Sequence, residues 1–334
     1  MNPPEAADEC CPICKGLTKQ ISRKKLIYPN AGHGWENDST MDLAYLSKAI
    51  VYARFCTSCF HTIRLPKFNT ENLYSSEATA VRAKHFAHYF PDKSYGETAN
   101  KIDIGKAFLG ASIENKRFSF ISSKINAFLK NTQLDSNIIK ILDWGGGDGS
   151  VSEQYTSILT YVTGCKTKNW VFDYAPWKHG NDTNRLSSKT IRSQAPFDIV
   201  ILSHVLEHTD DPVKMISDIS QVLNIGGILI IEVPDERMNI LRALLGKTIT
   251  LHYHVAWYSR RSLAVLLRQC GLGRWKTYYH FKSSYHGSPM TTILAIAQKP
   301  PNSNKDQGIY PSIFIEIYGL IIFAIKKIIS KFVH

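Results

Sequence analysis

The sequence predicts an α/β fold: a mostly parallel sheet with helices on its faces, a small cysteine-rich module ahead of it and an apolar helix behind it. Three observations predict it. Short apolar strands alternate with amphipathic helical segments from Ile138 onward. The first of those strands runs into a cluster of glycines. Two Cys-x-x-Cys pairs lie in the N-terminal part of the chain.

Ile138–Asp143, Trp170–Asp173, Phe197–Leu202 and Gly227–Val233 read as strands, with Val151–Tyr161 and Pro212–Leu223 as helices between them. In the second helix Val213, Ile216, Ile219, Val222 and Leu223 recur at helical spacing. Strands that alternate with helices build βαβ units around a parallel sheet. Ser262–Gln269 reads as a later helix and Thr291–Gln298 as a late strand. Ahead of the sheet, Ala78–Phe90 and Arg117–Lys130 read as helices; Phe118, Ile121, Ile125, Phe128 and Leu129 share one face of the latter. The expected organisation is a cysteine module over residues 1–70 and a helical connecting or lid region over 71–135. The sheet domain follows over 136–299, then a polar linker over 300–308 and an apolar helix over 309–334.

The chain has 334 residues, of which 44% are hydrophobic and 20% charged, so it can build a packed core and is not globally disordered. Its net charge of +12 favours an anionic partner: nucleic acid, a nucleotide-linked substrate or anionic lipid. Met1–Glu9 is polar and unlike a secretory signal, which places the seven cysteines in a reducing, cytoplasmic setting. There, paired cysteines favour metal over disulfides. Cys11-Pro-Ile-Cys14 and Cys56-Thr-Ser-Cys59 can converge on one structural Zn2+, whose four thiolates leave no open position for chemistry. Cys10 and His61 are adjacent substitutes.

Asp143-Trp144-Gly145-Gly146-Gly147-Asp148-Gly149 sits where the first strand meets the next helix. Glycines there let a ligand approach the backbone, and open α/β sheets bind ligands at the carboxyl ends of their strands. A dinucleotide seat asks for G-x-G-x-x-G; no glycine occupies position 150, so a diphosphate is disfavoured. Asp173, ending the second strand, offers two acceptor oxygens to the hydroxyls of a ribose.

With the glycine turn and Asp173, the run FDIVILSHVLEHTDDP and the strand GGILIIEVPD resemble the class I S-adenosylmethionine-dependent methyltransferases over about residues 138–270. The resemblance implies a Rossmann-like sheet ending in a reversed hairpin. It implies that Asp143, Gly145 and Gly147 line the methionine end of S-adenosylmethionine, with Asp173 on the ribose. Ser203 and His204 then face the reacting methyl group. Some enzymes of this class hold magnesium near residues such as Glu207 and His208. A hard cation wants several oxygens and only Glu207 offers one, so the sequence favours a structural role capping the turn before Pro212.

The cysteine module followed by this core is similar to the zinc-binding group that includes the deoxysugar C-methyltransferases. The segment His252-Tyr253-His254 matches a His-Glu-His run of those enzymes, with Tyr253 at the glutamate position and Leu251 where they carry a tyrosine. The likeness implies a sugar acceptor, nucleotide-linked or part of a surface or lipid-linked glycan. His254 is then the candidate base, with His204 and Tyr253 as second choices, since imidazole suits proton removal near neutral pH. A zinc-knuckle RNA methyltransferase is the first rival; the short, scattered basic runs lack an aromatic stacking platform. A non-catalytic binding protein of the same fold is the second, against which the intact glycine turn and Asp173 argue.

The tail Ser312–Ile325 is apolar apart from Glu316. A helix of that length covers about 21 Å, short of a hydrocarbon core of about 30 Å. Residues 309–334 are expected to form an interfacial helix, a short tilted membrane anchor or a helix docked on the domain; contact with the inner face of a membrane is the favoured reading, with Lys326, Lys327 and Lys331 on anionic headgroups.

Overall fold

Strand segments such as Phe197–Leu202, nearly all apolar, suit positions covered on both faces, as in parallel sheets packed between helices. The computed structural model describes residues 10–25, 50–65, 113–130, 138–147, 149–174, 184–235, 254–285 and 288–301. An N-terminal group of strands comes first: β1 (Thr18–Lys25), β2 (Ile50–Cys56) and β3 (Thr62–Leu65). Helix α1 (Ile113–Leu129) leads to β4 (Ile138–Trp144), α2 (Ser150–Thr163), β5 (Lys166–Phe172) and β6 (Arg185–Leu186). Then come α3 (Ile191–Gln194), β7 (Phe197–Ser203), α4 (Pro212–Val222) and β8 (Leu223–Pro234). The described chain closes with β9 (Ala256–Trp257), α5 (Arg260–Gln269), β10 (Gly273–Tyr285) and β11 (Ser288–Gln298).

The main sheet has the order β10-β11-β8-β7-β4-β5-β6. The neighbours from β8 to β6 pair in parallel. β11 pairs antiparallel with β8 and with β10, which gives the reversed hairpin at one end. This is the Rossmann-like class I sheet the sequence implied. Its two faces are both filled. Ile139, Ile141, Ile199, Ile201, Ile228 and Ile230 pack with α1 and α2 through Ile121, Phe128, Tyr155 and Leu159. Leu142, Val200, Leu202, Leu229 and Ile231 pack on the other side with Ile216, Ile219, Leu263 and Leu266 of α4 and α5. Each such side chain, fully buried, contributes roughly 1.5–3 kcal/mol.

Cys11, Ile13, Cys56 and Cys59 belong to that second core. The reason is β9, which leaves the main domain and completes the N-terminal sheet in the order β1-β2-β3-β9. Thr62 pairs with Trp257 and Ile63 with Ala256. Just beyond, the Ser259 hydroxyl donates to the Cys59 carbonyl at 3.1 Å, and Arg261 Nε donates to the Ser58 carbonyl at 2.8 Å.

Several element boundaries differ from the sequence reading. α5 begins at Arg260, because Ser259 and Ser262 form a capping box with serine in the place usually held by glutamate. β5 begins at Lys166, its first half alternating between exposed and half-buried residues and so hiding the apolar signal. β10 was not anticipated; it is an edge strand whose Arg274 and Lys276 break the hydrophobic pattern. The expected helix Ala78–Phe90, the 309–334 helix and Tyr253 lie outside the described residues. Among the described residues no helix is long and apolar enough to cross a membrane.

Ser259→Ala removes both the cap of α5 and the tie to Cys59. We expect a loss of about 1–2 kcal/mol, read as a lowered urea midpoint with an unchanged denaturant slope.

Candidate functional site

In an open α/β sheet the ligand crevice lies outside the carboxyl ends of the strands, where the strand order reverses. Here β4 has β5 on one side and β7 on the other. The glycine turn leaves β4 there. Gly145 has φ +79°, and its N–H donates to the Phe172 carbonyl at 2.7 Å. A Cβ on Gly145 would lie 2.5 Å from a Val205 methyl, and one on Gly146 would lie 2.5 Å from Asp143 Oδ2. The turn is therefore clamped between the Asp143 carboxylate, 1% exposed, and the residues that follow β7. The Gly147 N–H donates to Asp173 Oδ2 at 2.8 Å, and the Gly147 carbonyl accepts from Arg185 Nη2 at 2.6 Å. One oxygen of Asp173 thus holds the turn, which places its carboxylate at the carboxyl end of β5.

The exit of β7 supplies the other wall. The Ser203 hydroxyl and the Tyr155 hydroxyl both donate to Glu232 Oε2, at 3.3 and 3.2 Å. Glu232 is buried at the end of β8 and escaped the sequence reading. Its signal was present, as the one acid within the apolar run Gly226–Val233. His204 follows with φ +55°, its N–H donating to the Glu232 carbonyl at 2.9 Å.

That left-handed residue turns the chain into a 3-10 turn, Leu206–His208. Glu207 is 1% exposed and sits among three imidazoles. Its Oε1 lies 3.3 Å from His204 Nδ1, 3.9 Å from His208 Nε2 and 4.0 Å from His254 Nε2. The rings of His208 and His254 meet edge to face with centroids 5.0 Å apart. Burial acts to raise the Glu207 pKa, but the His204 hydrogen bond and the charges of His208, His204 and His254 outweigh it and hold the carboxyl below its ordinary value. The sequence had assigned Glu207 and His208 to capping the turn. The structure gives the cap of α4 to Asp211, whose carboxylate accepts from the Lys214 N–H at 2.9 Å.

His254 is placed by its neighbours. The Val255 N–H donates to the Glu207 carbonyl at 2.9 Å, and the buried Tyr258 hydroxyl donates to the Leu206 carbonyl at 3.2 Å. Burial, with the Glu207 charge and then Cys11 behind it, pushes the Tyr258 pKa well above its usual value and keeps the hydroxyl a donor.

The two cysteine pairs form a second cluster. All seven cysteines are unbridged. Sγ of Cys11 lies 3.6 Å from that of Cys59, Sγ of Cys14 lies 3.4 Å from that of Cys56, and the four sulfurs all fall within 4.8 Å of one another. A tetrahedral ion with metal–sulfur bonds of 2.3 Å sets sulfurs about 3.8 Å apart. The two loops share one backbone plan. Lys15 and Phe60, each following the second cysteine, have φ near +60°. Their N–H groups donate to the carbonyls of Cys11 and Cys56, each at 2.9 Å. Hydrogen bonds from Cys11 and then Cys59 hold Cys56 low, as a thiolate, while Cys11 is pushed up to about 12 by its bond to Cys56. Neither proposed substitute joins the cluster. Cys10 is exposed. His61 is buried with its ring 4.9 Å from Tyr258, and burial pushes its pKa down to about 4.

Residues 113–276 match a methyltransferase domain family. The chain is an S-adenosylmethionine-dependent methyltransferase. Solved structures similar to this methyltransferase include the DszA carbon methyltransferase, at 14% identity over 73% of this chain and 68% of that one, with a TM-score of 0.41. The CurJ carbon methyltransferase aligns at 16% identity over 66% and 71% of the two chains, with a TM-score of 0.38. A methyltransferase from Methanosarcina mazei aligns at 17% identity over 52% and 98%, also at 0.38. No curated protein matches the chain. The methyltransferase's cofactor is S-adenosylmethionine.

In Gly145→Ala the new methyl meets Val205 and the left-handed φ is strained. We expect a loss of roughly 1–3 kcal/mol and weaker cofactor binding by calorimetry. Val205→Ala in the same chain relieves the clash but not the strain, so it should restore binding only in part.

Proposed function

We propose that this methyltransferase acts on a sugar, nucleotide-linked or part of a surface or lipid-linked glycan, with His254 as the base. The observation that carries the reading is the cluster of His204, Glu207, His208 and His254 beside the glycine turn, coupled to it through Val205 and Gly145. The acceptor class rests on the likeness of His252-Tyr253-His254 to the deoxysugar enzymes' His-Glu-His run.

The cofactor supplies a sulfonium methyl group, which an acceptor takes by in-line displacement. The chain's own part is to hold and orient. Asp143, Gly145 and Gly147 line the methionine end, where the glycines let the donor approach the backbone. Asp173 takes the ribose hydroxyls, and Ser203, anchored on Glu232, faces the methyl group. His254 removes the acceptor's proton, and the buried Glu207 carboxylate stabilises the imidazolium that results. His204 and then Tyr253 are the next choices for that proton. Positioning of this kind contributes much of the rate in a displacement.

We further assign the sulfurs of Cys11, Cys14, Cys56 and Cys59 to a structural zinc. Their spacing fits a tetrahedral ion, and four thiolates crowded so closely need a cation to coexist. The zinc module over 1–70, the lid over 71–135 and the main domain over 136–299 are the units of this reading. Residues 309–334 are proposed to touch the inner face of a membrane, which suits a cytoplasmic enzyme with a lipid-linked acceptor.

Two measurements test this. The protein is incubated with S-adenosylmethionine and a pool of nucleotide sugars and lipid-linked glycans, and mass spectrometry scans for products heavier by one methylene. A methylated sugar is expected, falling about 100-fold or more in His254→Ala; cofactor binding without any sugar product sinks the acceptor class. Elemental analysis should find zinc in the purified protein and its loss in Cys59→Ser, together with a lower melting temperature.

A further inference from the structure

We propose that Glu207, His208 and His254 form a site for one divalent transition-metal ion, distinct from the four-cysteine cluster. The inference rests on the reading of this crevice as the acceptor end of the enzyme and deepens it. The three side chains each present a donor atom, and these atoms lie within 4.8 Å of one another. An ion with bonds of about 2.0–2.1 Å to nitrogen and oxygen wants its donors about 3.3 Å apart, so small side-chain rotations close the site.

Burial supplies the second, independent observation. Glu207 is 1% exposed, and its Oε2 has no hydrogen-bond partner among the described residues. A carboxylate held so deep is costly unless a positive charge faces it. His204 reaches the same carboxylate through Nδ1 at 3.3 Å and steadies it from outside the donor set, as outer-shell partners of metal ligands do.

The donor set selects the kind of ion. Magnesium and calcium take mostly oxygen, and here only Glu207 provides it. Two imidazoles with one carboxylate suit zinc, cobalt, nickel or iron. Three protein donors also leave open positions, which is the arrangement of a reactive site and the opposite of the closed cysteine cluster. The single oxygen still disfavours a hard cation, as it does in the sequence, but His254, which the fold brings in from another segment, supplies the third donor for a softer one.

An ion here alters the chemistry of the crevice. An acceptor hydroxyl bound at an open position becomes more acidic. Its proton passes to His204, its oxygen forms the new bond to the methyl carbon, and the carbon–sulfur bond breaks. His254 is then a ligand, and acts as the base only in the ion-free enzyme.

The test uses the full chain with its cysteine site loaded with zinc, titrated with Co2+ in the absence of any acceptor. We expect a single further equivalent to bind, with visible ligand-field bands and no thiolate-to-cobalt charge-transfer band. In His208→Ala and in His254→Ala the affinity should fall roughly 100-fold or more, while thermal melts show both variants folded. No uptake beyond the cysteine site, a thiolate band accompanying the uptake, or binding unchanged in both variants overturns the proposal. Because no methyl transfer is read, failure here is distinguishable from failure of the sugar assignment.

Discussion

The crevice depends on a short antiparallel pairing, Thr62 and Ile63 of β3 with Trp257 and Ala256 of β9. Nothing local makes that two-residue strand; isolated strands of such length have no stability of their own in water. It persists because Ala256, Trp257 and Tyr258 are buried against the N-terminal sheet and the main core. His254 lies just ahead of it, and the bond from Val255 to Glu207 presses the imidazole toward the carboxylate. A metal on the four cysteines would brace the same segment, because Cys59 and Ser58 accept from Ser259 and Arg261 at its far end. A structural ion can in this way govern chemistry that it does not touch.

A second constraint joins the glycine turn to the imidazole cluster. Val205 fills the space where Gly145 would carry a Cβ, and Val205 belongs to the turn that presents His204, Glu207 and His208. The glycine turn and the imidazole cluster are therefore packed against each other through Val205. Glu232 adds a polar link, since its side chain accepts from Ser203 and its carbonyl accepts from His204. Close-packed interiors have low compressibility and so transmit strain between such contacts.

Much of the main sheet was legible because its strands are buried on both faces and its helices carry clear apolar stripes. Phe197–Leu202 and Pro212–Leu223 show this, each within one residue of the observed limits; Gly227–Val233 catches the buried part of a strand that begins at Leu223 and is partly exposed over residues 224–226. The glycine turn was legible for a different reason: φ values near +79° and a methyl in the space a Cβ would fill leave glycine as the residue that fits. β10 and β9 were not legible. One is a charged edge strand, the other two residues long, and neither leaves a periodic trace.

The sequence by itself determined the α/β class, the glycine turn with Asp143 and Asp173 beside it, and the two Cys-x-x-Cys loops. Each is written in residues close along the chain, through periodicity or through backbone conformations that few residue types adopt. Tertiary structure alone decided that Glu207 is buried, that His254 reaches it, that Glu232 anchors Ser203, and that the cysteine module docks on the start of α5. Those contacts join residues up to 203 positions apart. Their energy comes from burial and hydrogen bonds that exist once the sheets have assembled, so no local pattern in the sequence records them.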